Sequence, residues 1–281
     1  TSNYRYDLAP YTWELVRNLK SGRAIFSQPP MPIKCAGAPQ KAMYLSCDAW
    51  AERGVLDAID VEFRNAGGVL FGVEAYVPAL MDYVARYGID LKLQQKLVAV
   101  DGEAKTATFE TIEGGETVGF DMLHAVPPQV APDFLARSPL AQADSGFVEV
   151  DKHTLQHPRF ANVFGLGDAA STPNAKTAAA ARKQAPIVAV NALAVLDGRN
   201  PSALYDGYGS CPLTVERGRI VLAEFGYDGK LLPSFPRWLI DGTKPHRLSW
   251  LLKSEALPWI YWNGMLKGHE WLAKPQMKQA A

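Results

Sequence analysis

Two cysteines far apart in the chain sit in segments with unusual local composition. Cys35 lies in Pro32-Ile33-Lys34-Cys35-Ala36-Gly37-Ala38-Pro39-Gln40-Lys41, and Cys211 in Tyr205-Asp206-Gly207-Tyr208-Gly209-Ser210-Cys211-Pro212. Between them Val163-Phe164-Gly165-Leu166 runs into Gly167-Asp168, and Lys176-Thr177-Ala178-Ala179-Ala180 follows. A hydrophobic strand ending in Gly167-Asp168 can set a carboxylate beside a ribityl or ribose hydroxyl. A helix start of small side chains lets the positive end of the helix dipole approach a flavin ring, where it favours negative charge on the reduced form. Gly167, Asp168, Lys176, Thr177, Ala178 and Ala179 are therefore the candidate cofactor contacts. Two thiols together with a flavin make a redox relay, with Cys35 and Cys211 as its candidate catalytic residues.

Each feature also has a plainer reading. Gly167-Asp168 is compatible with an ordinary strand-loop-helix whose aspartate caps the helix. Cys35 follows a strand and precedes a helix, and the helix N-terminus with Lys34 favours thiolate over thiol. It would equally serve as a small core residue, the commonest fate of cysteine. Its turn carries one glycine rather than Gly-x-Gly-x-x-Gly, so a tight pyrophosphate cradle is not expected there. Cys47, on the following helix, reads as a packing residue.

The elements that must position these residues have a clear rhythm. Residues 24–27 read as a buried strand, 40–52 as a helix, 59–63 as a strand and 76–87 as a helix ended by Gly88. Residues 89–93 read as the next strand, which makes a parallel α/β pattern of the dinucleotide-binding type. Residues 97–120 alternate in short strands broken by Asp101-Gly102 and Gly114-Gly115, a β-meander. Further strands are expected at 122–126, 147–150, 163–166 and 219–225. A long alanine-rich helix is expected at 176–196, with Pro186 as a kink or boundary.

Bulk properties bound the function. The chain has 281 residues, 29 basic and 29 acidic, with 48% hydrophobic and 21% charged residues. That is globular, and zero net charge argues against broad nucleic-acid binding. The three cysteines Cys35, Cys47 and Cys211 are neither a secreted disulfide framework nor a Cys-x-x-Cys zinc site. His124, His153, His157, His246 and His269 read as structural, and no metal is expected. The first twenty residues are polar, unlike a signal peptide. No apolar run approaches the length needed to span a bilayer. The chain opens on Thr1 in mid-pattern, as a processed protein or a piece of a longer one would. From Phe235 onward Trp238, Trp250, Trp259, Tyr261, Trp262 and Trp271 alternate with Arg237, Arg247, Lys253, Lys267 and Lys274. That pattern suits helices lying in a membrane interface, and it also suits a docking face for another chain or packing back on the core.

With these motifs assembled, five segments resemble the mitochondrial-type sulfide:quinone oxidoreductases of the flavin disulfide reductase superfamily. They are residues 32–46, 154–157, 162–168, 176–180 and 205–212, and the likeness extends from Ser2-Asn3-Tyr4 to Tyr261-Trp262-Asn263. The resemblance implies two Rossmann-like folds, the FAD-binding one incomplete, and a C-terminal amphipathic helical tail. It divides the chain into a nucleotide-like region carrying Cys35 (1–120), a returning part of the FAD domain (121–200) and a C-terminal region with Cys211 and membrane-surface helices (201–281). It implies FAD beside Cys35, with Cys211 as the distal partner and the two sulfurs at one place. Asp168 would meet the ribityl chain, and residues 176–179 the isoalloxazine ring. Sulfide, a quinone and a small sulfur acceptor are the implied partners. The implied location is peripheral or monotopic on a bacterial or mitochondrial inner membrane, and a homo-oligomer is left open. The family's opening Gly-x-Gly-x-x-Gly turn, which holds the FAD pyrophosphate, does not occur here, so a segment of the family pattern is expected to precede Thr1. A flavin-dependent NADH dehydrogenase or disulfide reductase, or a non-catalytic fragment of such an enzyme, is the alternative.

Overall fold

The computed structural model describes residues 1–278. In chain order the elements are α1 (Ala9–Asn18), β1 (Gly22–Gln28), α2 (Ala38–Glu52), β2 (Ile59–Asn65), α3 (Val77–Arg86), β3 (Asp90–Leu93), β4 (Lys96–Asp101), β5 (Thr106–Thr111), β6 (Gly114–Gly119) and β7 (Met122–His124). There follow α4 (Asp133–Ala136), α5 (Ala178–Leu196), β8 (Ala203–Leu204), β9 (Gly209–Glu216), β10 (Arg219–Phe225), β11 (Pro245–His246), α6 (Arg247–Leu251), α7 (Leu257–Asn263) and β12 (Gln276–Met277). The chain forms two compact units. Among the described residues, one comprises 1–129, 212–223 and 241–250; the other comprises 130–211, 224–240 and the stretch from Leu251 onward.

The first unit is built on a parallel sheet in the order β3-β2-β1-β7. Parallel strands linked by helices are covered on both faces, so they carry continuous apolar runs rather than alternation. Ala24, Ile25 and Phe26 of β1 and Phe63 of β2 are accordingly buried. Against this sheet α2 contributes Met43, Tyr44, Cys47 and Trp50, all fully buried. Trp50 satisfies its indole N–H on the Val16 carbonyl at the end of α1 (2.8 Å), and its ring lies 6.3 Å from that of Phe26. Burial pushes the Cys47 thiol well above the ordinary range, so Cys47 is an inert packing group.

The meander β4-β5-β6 is antiparallel, as its turn residues indicate. Ala107 and Phe109 of β5 pack with Ile25 and Leu123. Arg64, on β2, is fully buried beside this cluster. Its guanidinium pairs with Glu62 (2.7 Å) and Glu116 (2.6 Å) and lies 4.5 Å from the Phe109 ring centre. A buried cation needs such partners, because removing one strands an uncompensated charge.

In the second unit, α5 packs Ile187 against Leu155, Ala203 and Tyr205. The helix runs unbroken through Pro186 to Leu196, where a kink or boundary is expected from sequence. Asn191, further along α5, fastens the helix to the segments beside it. Its amide donates to the carbonyls of Thr154 and Ala203, and its carbonyl accepts from Ser202 and Ala203. Residues 147–150 and 163–166 depart from the strand expectation. Val148 forms single bridges to Ala141 and Ala170, and Phe164 one to Gln156. Their backbone groups are taken one at a time by turns, as in His157 N–H to Val163 and Gly165 N–H to Leu155, so no ladder propagates.

The C-terminal stretch is helical from Arg247 to Asn263, with a π-helical segment, Leu252–Ala256, between α6 and α7. Trp238, Trp262 and Leu266 are 84%, 64% and 54% exposed, which is unusual for side chains that gain so much from burial. Among the described residues no helix is long and apolar enough to cross a membrane.

Candidate functional site

Cys35 stands in the connection from β1 to α2, beyond the C-terminal end of a parallel strand. Ligand and catalytic groups collect at that edge in open α/β sheets. The residue is half-buried and adopts φ 47°, a left-handed backbone that costs a non-glycine residue on the order of 1 kcal/mol. Neighbouring hydrogen bonds hold it there. The Cys35 carbonyl accepts from Ala38 N–H at 2.7 Å, and the Tyr4 hydroxyl donates to the Lys34 carbonyl at 2.7 Å. The Lys34 N–H is taken by Gln129 at 2.9 Å.

The conformation turns the sulfur toward α2. The Lys41 ammonium donates to Cys35 Sγ at 3.4 Å. A cation in contact and a helix N-terminus close by both favour a thiolate, which is the reactive form. Lys41 belongs to the Cys35 motif, and its contact with the sulfur is visible only in the fold. The signal in the sequence is its spacing: six residues after the cysteine, as the fourth residue of a helix that Cys35 precedes.

The second unit carries the Gly-Asp turn and the helix head. Gly167 is at φ 63°, a conformation glycine adopts without strain. Its N–H donates to the buried side chain of Gln184, on α5, at 2.6 Å. Gly165 is required for a close approach: a Cβ there would meet Val150 at 2.9 Å. Asp168 is exposed at this turn. Lys176 is buried, and its ammonium donates to the carbonyls of Ala170 (2.6 Å) and Asp168 (3.2 Å) while lying 4.1 Å from the Phe147 ring centre. The lysine thus ties the carboxylate-bearing turn to the segment that starts α5.

Thr177 caps α5, its hydroxyl accepting from Ala180 N–H at 3.1 Å. The helix proper begins at Ala178, which is exposed, and the first N–H groups of a helix have no partner within it. Between turn and helix, Thr172 is buried with its hydroxyl oxygen unpartnered. An exposed carboxylate, small side chains at a helix N-terminus and an orphaned hydroxyl in one stretch fit a bound flavin.

Cys211 is fully buried on β9. The strand's first residue, Gly209, lies against the same helix head: a Cβ there would sit 3.6 Å from Ala175 and 3.7 Å from the Thr177 hydroxyl. So the second unit brings the Cys211 strand, the Asp168 turn and the start of α5 together, and Cys35 belongs to the first unit. Gln184, Thr172 and Tyr205, which complete the surroundings, have no sequence signature. They are ordinary polar residues whose burial only folding reveals. No cluster of metal-ligating side chains occurs among the described residues. His153 lies in a turn and His157 in irregular backbone, so the two, four apart, do not share a helix face.

No protein-family model matches the chain. The chain is 41% identical over 275 residues to the mitochondrial sulfide:quinone oxidoreductase of Dictyostelium discoideum, covering 98% of this chain and 60% of that protein. It thus spans about three-fifths of that relative's length. Among solved structures, the sulfide:quinone oxidoreductase of Aquifex aeolicus superposes with a TM-score of 0.72 at 16% identity, covering 92% of this chain and 61% of that one. A chain in the Tetrahymena thermophila mitochondrial ATP synthase does so with a TM-score of 0.72 at 23% identity, over 92% of this chain and 61% of that one. At those identities the two structures share the fold, which by itself does not carry a function.

Proposed function

We propose that this chain is the larger part of a mitochondrial-type sulfide:quinone oxidoreductase, in which Cys35 and Cys211 form the redox pair. The observation that carries the reading is the seat of Cys35: a strained, half-buried cysteine with a lysine ammonium on its sulfur. The named function of the 41%-identical relative supports it.

In this reading hydrosulfide attacks sulfur at Cys211 in a disulfide or sulfur-bridged pair with Cys35. The new S–S bond forms at Cys211, and the electron pair of the broken bond leaves on Cys35 as thiolate, which the Lys41 ammonium stabilises. Such exchange needs an anionic attacker and a leaving group that tolerates negative charge. FAD, when bound, supplies the two-electron acceptor between that thiolate and the quinone. Asp168 would hold its ribityl chain and the N-terminus of α5, at Thr177, Ala178 and Ala179, its ring. The sulfane sulfur then passes from Cys211 to a small nucleophilic acceptor and leaves Cys211 as a thiolate, and re-forming the Cys35–Cys211 bond would release the two electrons that the flavin takes up.

The test is optical. Purified full-length protein should show the visible absorption of an oxidised flavin, should bleach on adding sulfide anaerobically, and should recover on adding a soluble quinone. A colourless protein, or a flavin that sulfide leaves oxidised, would reject the assignment.

We further propose that the C-terminal region docks on one leaflet, which would give a lipid-soluble quinone access. The exposed aromatic side chains support this, as interfacial segments seat such rings at the headgroup level. Truncation is a poor test, since β11 pairs with β10 and Ser249 is fully buried. Replacing Trp238, Trp262 and Leu266 together by serine in the full-length protein should lower liposome binding about tenfold or more. Unchanged binding would mean that these side chains serve another surface.

A further inference from the structure

The hydroxyl of Tyr205 joins the two halves of the second unit's site. Tyr205 is 1% exposed and precedes Cys211 by six residues. Its O–H donates to the Tyr208 carbonyl at 2.6 Å, on the approach to β9. The same oxygen accepts from the Asn174 amide at 2.5 Å, in the loop between the Asp168 turn and α5. The ring packs edge-on to Tyr227 and against Leu155, Ile187 and Ala203. Burial holds the phenol far above its ordinary range, so it remains a neutral donor across the working pH range.

The surrounding bonds extend the link. Gln184 holds the Gly167 N–H at 2.6 Å, and Gly209 rests against Ala175 and Thr177. The Tyr208 hydroxyl donates in turn to buried Glu224 at 2.6 Å. One phenol oxygen therefore ties the loop before the cofactor helix to the strand of the reactive cysteine.

We propose that Tyr205 is a positioning residue that sets the Cys211 strand and the Asp168–Thr177 loop in register with each other. This rests on the functional reading above. A hydroxyl shared between two loops fixes their separation more tightly than apolar contact does, because hydrogen bonds are lost within a few tenths of an ångström. Loss of one buried hydrogen bond corresponds to about a tenfold change in a local equilibrium.

The test uses the full-length protein with Tyr205→Phe, which keeps the ring and removes only the oxygen, and separately Asn174→Ala, which cuts the same bond from the loop side. FAD affinity is measured by titrating FAD back into protein stripped of it. Cysteine protection is measured by alkylation rate and peptide mapping. The expected result is FAD binding weakened about tenfold and Cys211 alkylated about tenfold faster in both variants, with Cys47 as protected as before. Wild-type FAD affinity and Cys211 protection in both variants would overturn the proposal. So would equal deprotection of Cys47, which would mark a loss of overall stability instead of local register. If the unaltered full-length protein binds no FAD, the functional reading fails, and the alkylation arm still decides the role of Tyr205.

Discussion

Under the proposed function, serine in place of Cys35 or Cys211 in the full-length protein is expected to lower sulfide-dependent quinone reduction about a thousandfold or more. Serine is a weak nucleophile at neutral pH and cannot form a sulfur bridge. The Lys41 ammonium that stabilises a thiolate at Cys35 has nothing comparable to act on in an alcohol. Cys47→Ser is the control. It places a hydroxyl in a fully buried position and should cost stability, about 1–3 kcal/mol, yet leave turnover per folded molecule close to wild type. Steady-state quinone reduction, normalised to flavin content, separates the three. Comparable losses in all three variants would show that the pair was assigned to the wrong sulfurs.

The second large effect is on stability at low pH. His124 is fully buried on β7, stacked on Phe26, with Nε2 accepting from Asn3 N–H at 3.0 Å. Burial above all, and then the Thr1 ammonium, lower its pKa to about 4. An unfolded histidine titrates near 6.5, so below that pH the unfolded chain binds a proton that the folded chain refuses. Stability is therefore complete above about pH 6.5 and falls as the pH drops toward 4, by about 3 kcal/mol from this group alone. Urea midpoints measured at pH 7, 5 and 4 should show that loss. His124→Gln keeps an acceptor for Asn3 without a titrating ring, and should remove most of the difference. Identical pH dependence in the two proteins would mean the acid sensitivity lies in the carboxylates.

Much of the fold could be read from residue order because its signals are local. Unbroken apolar runs at β1 and β2, helical spacing through α3 and paired glycines in the meander each report a backbone preference that neighbours reinforce. The chemical candidates were legible for a related reason. A cysteine between a strand and a helix, or a Gly-Asp turn before small residues, carries its proposed role in adjacent positions. The likeness to sulfide:quinone oxidoreductases rests on such contiguous motifs.

What residue order could not supply depends on partners distant in the chain. Residues 147–150 and 163–166 have strand-like composition, yet a strand exists only when another segment takes its hydrogen bonds in sequence, and these receive single bridges. Pro186 has the usual mark of a helix break, but the packing of α5 carries the helix through it. Lys176 is a candidate cofactor contact from sequence, and what folding adds is that its ammonium also donates to the carbonyls of Asp168 and Ala170. Tyr205 and Gln184 are unremarkable in composition and become consequential only once burial removes water, since a polar atom in the interior must find a specific partner, and only the fold shows that the buried Thr172 hydroxyl lacks one. Sequence by itself determined which residues are candidates for the chemistry; tertiary structure decided which of them are anchored, exposed or brought together, because burial and long-range hydrogen bonding are properties of the folded chain alone.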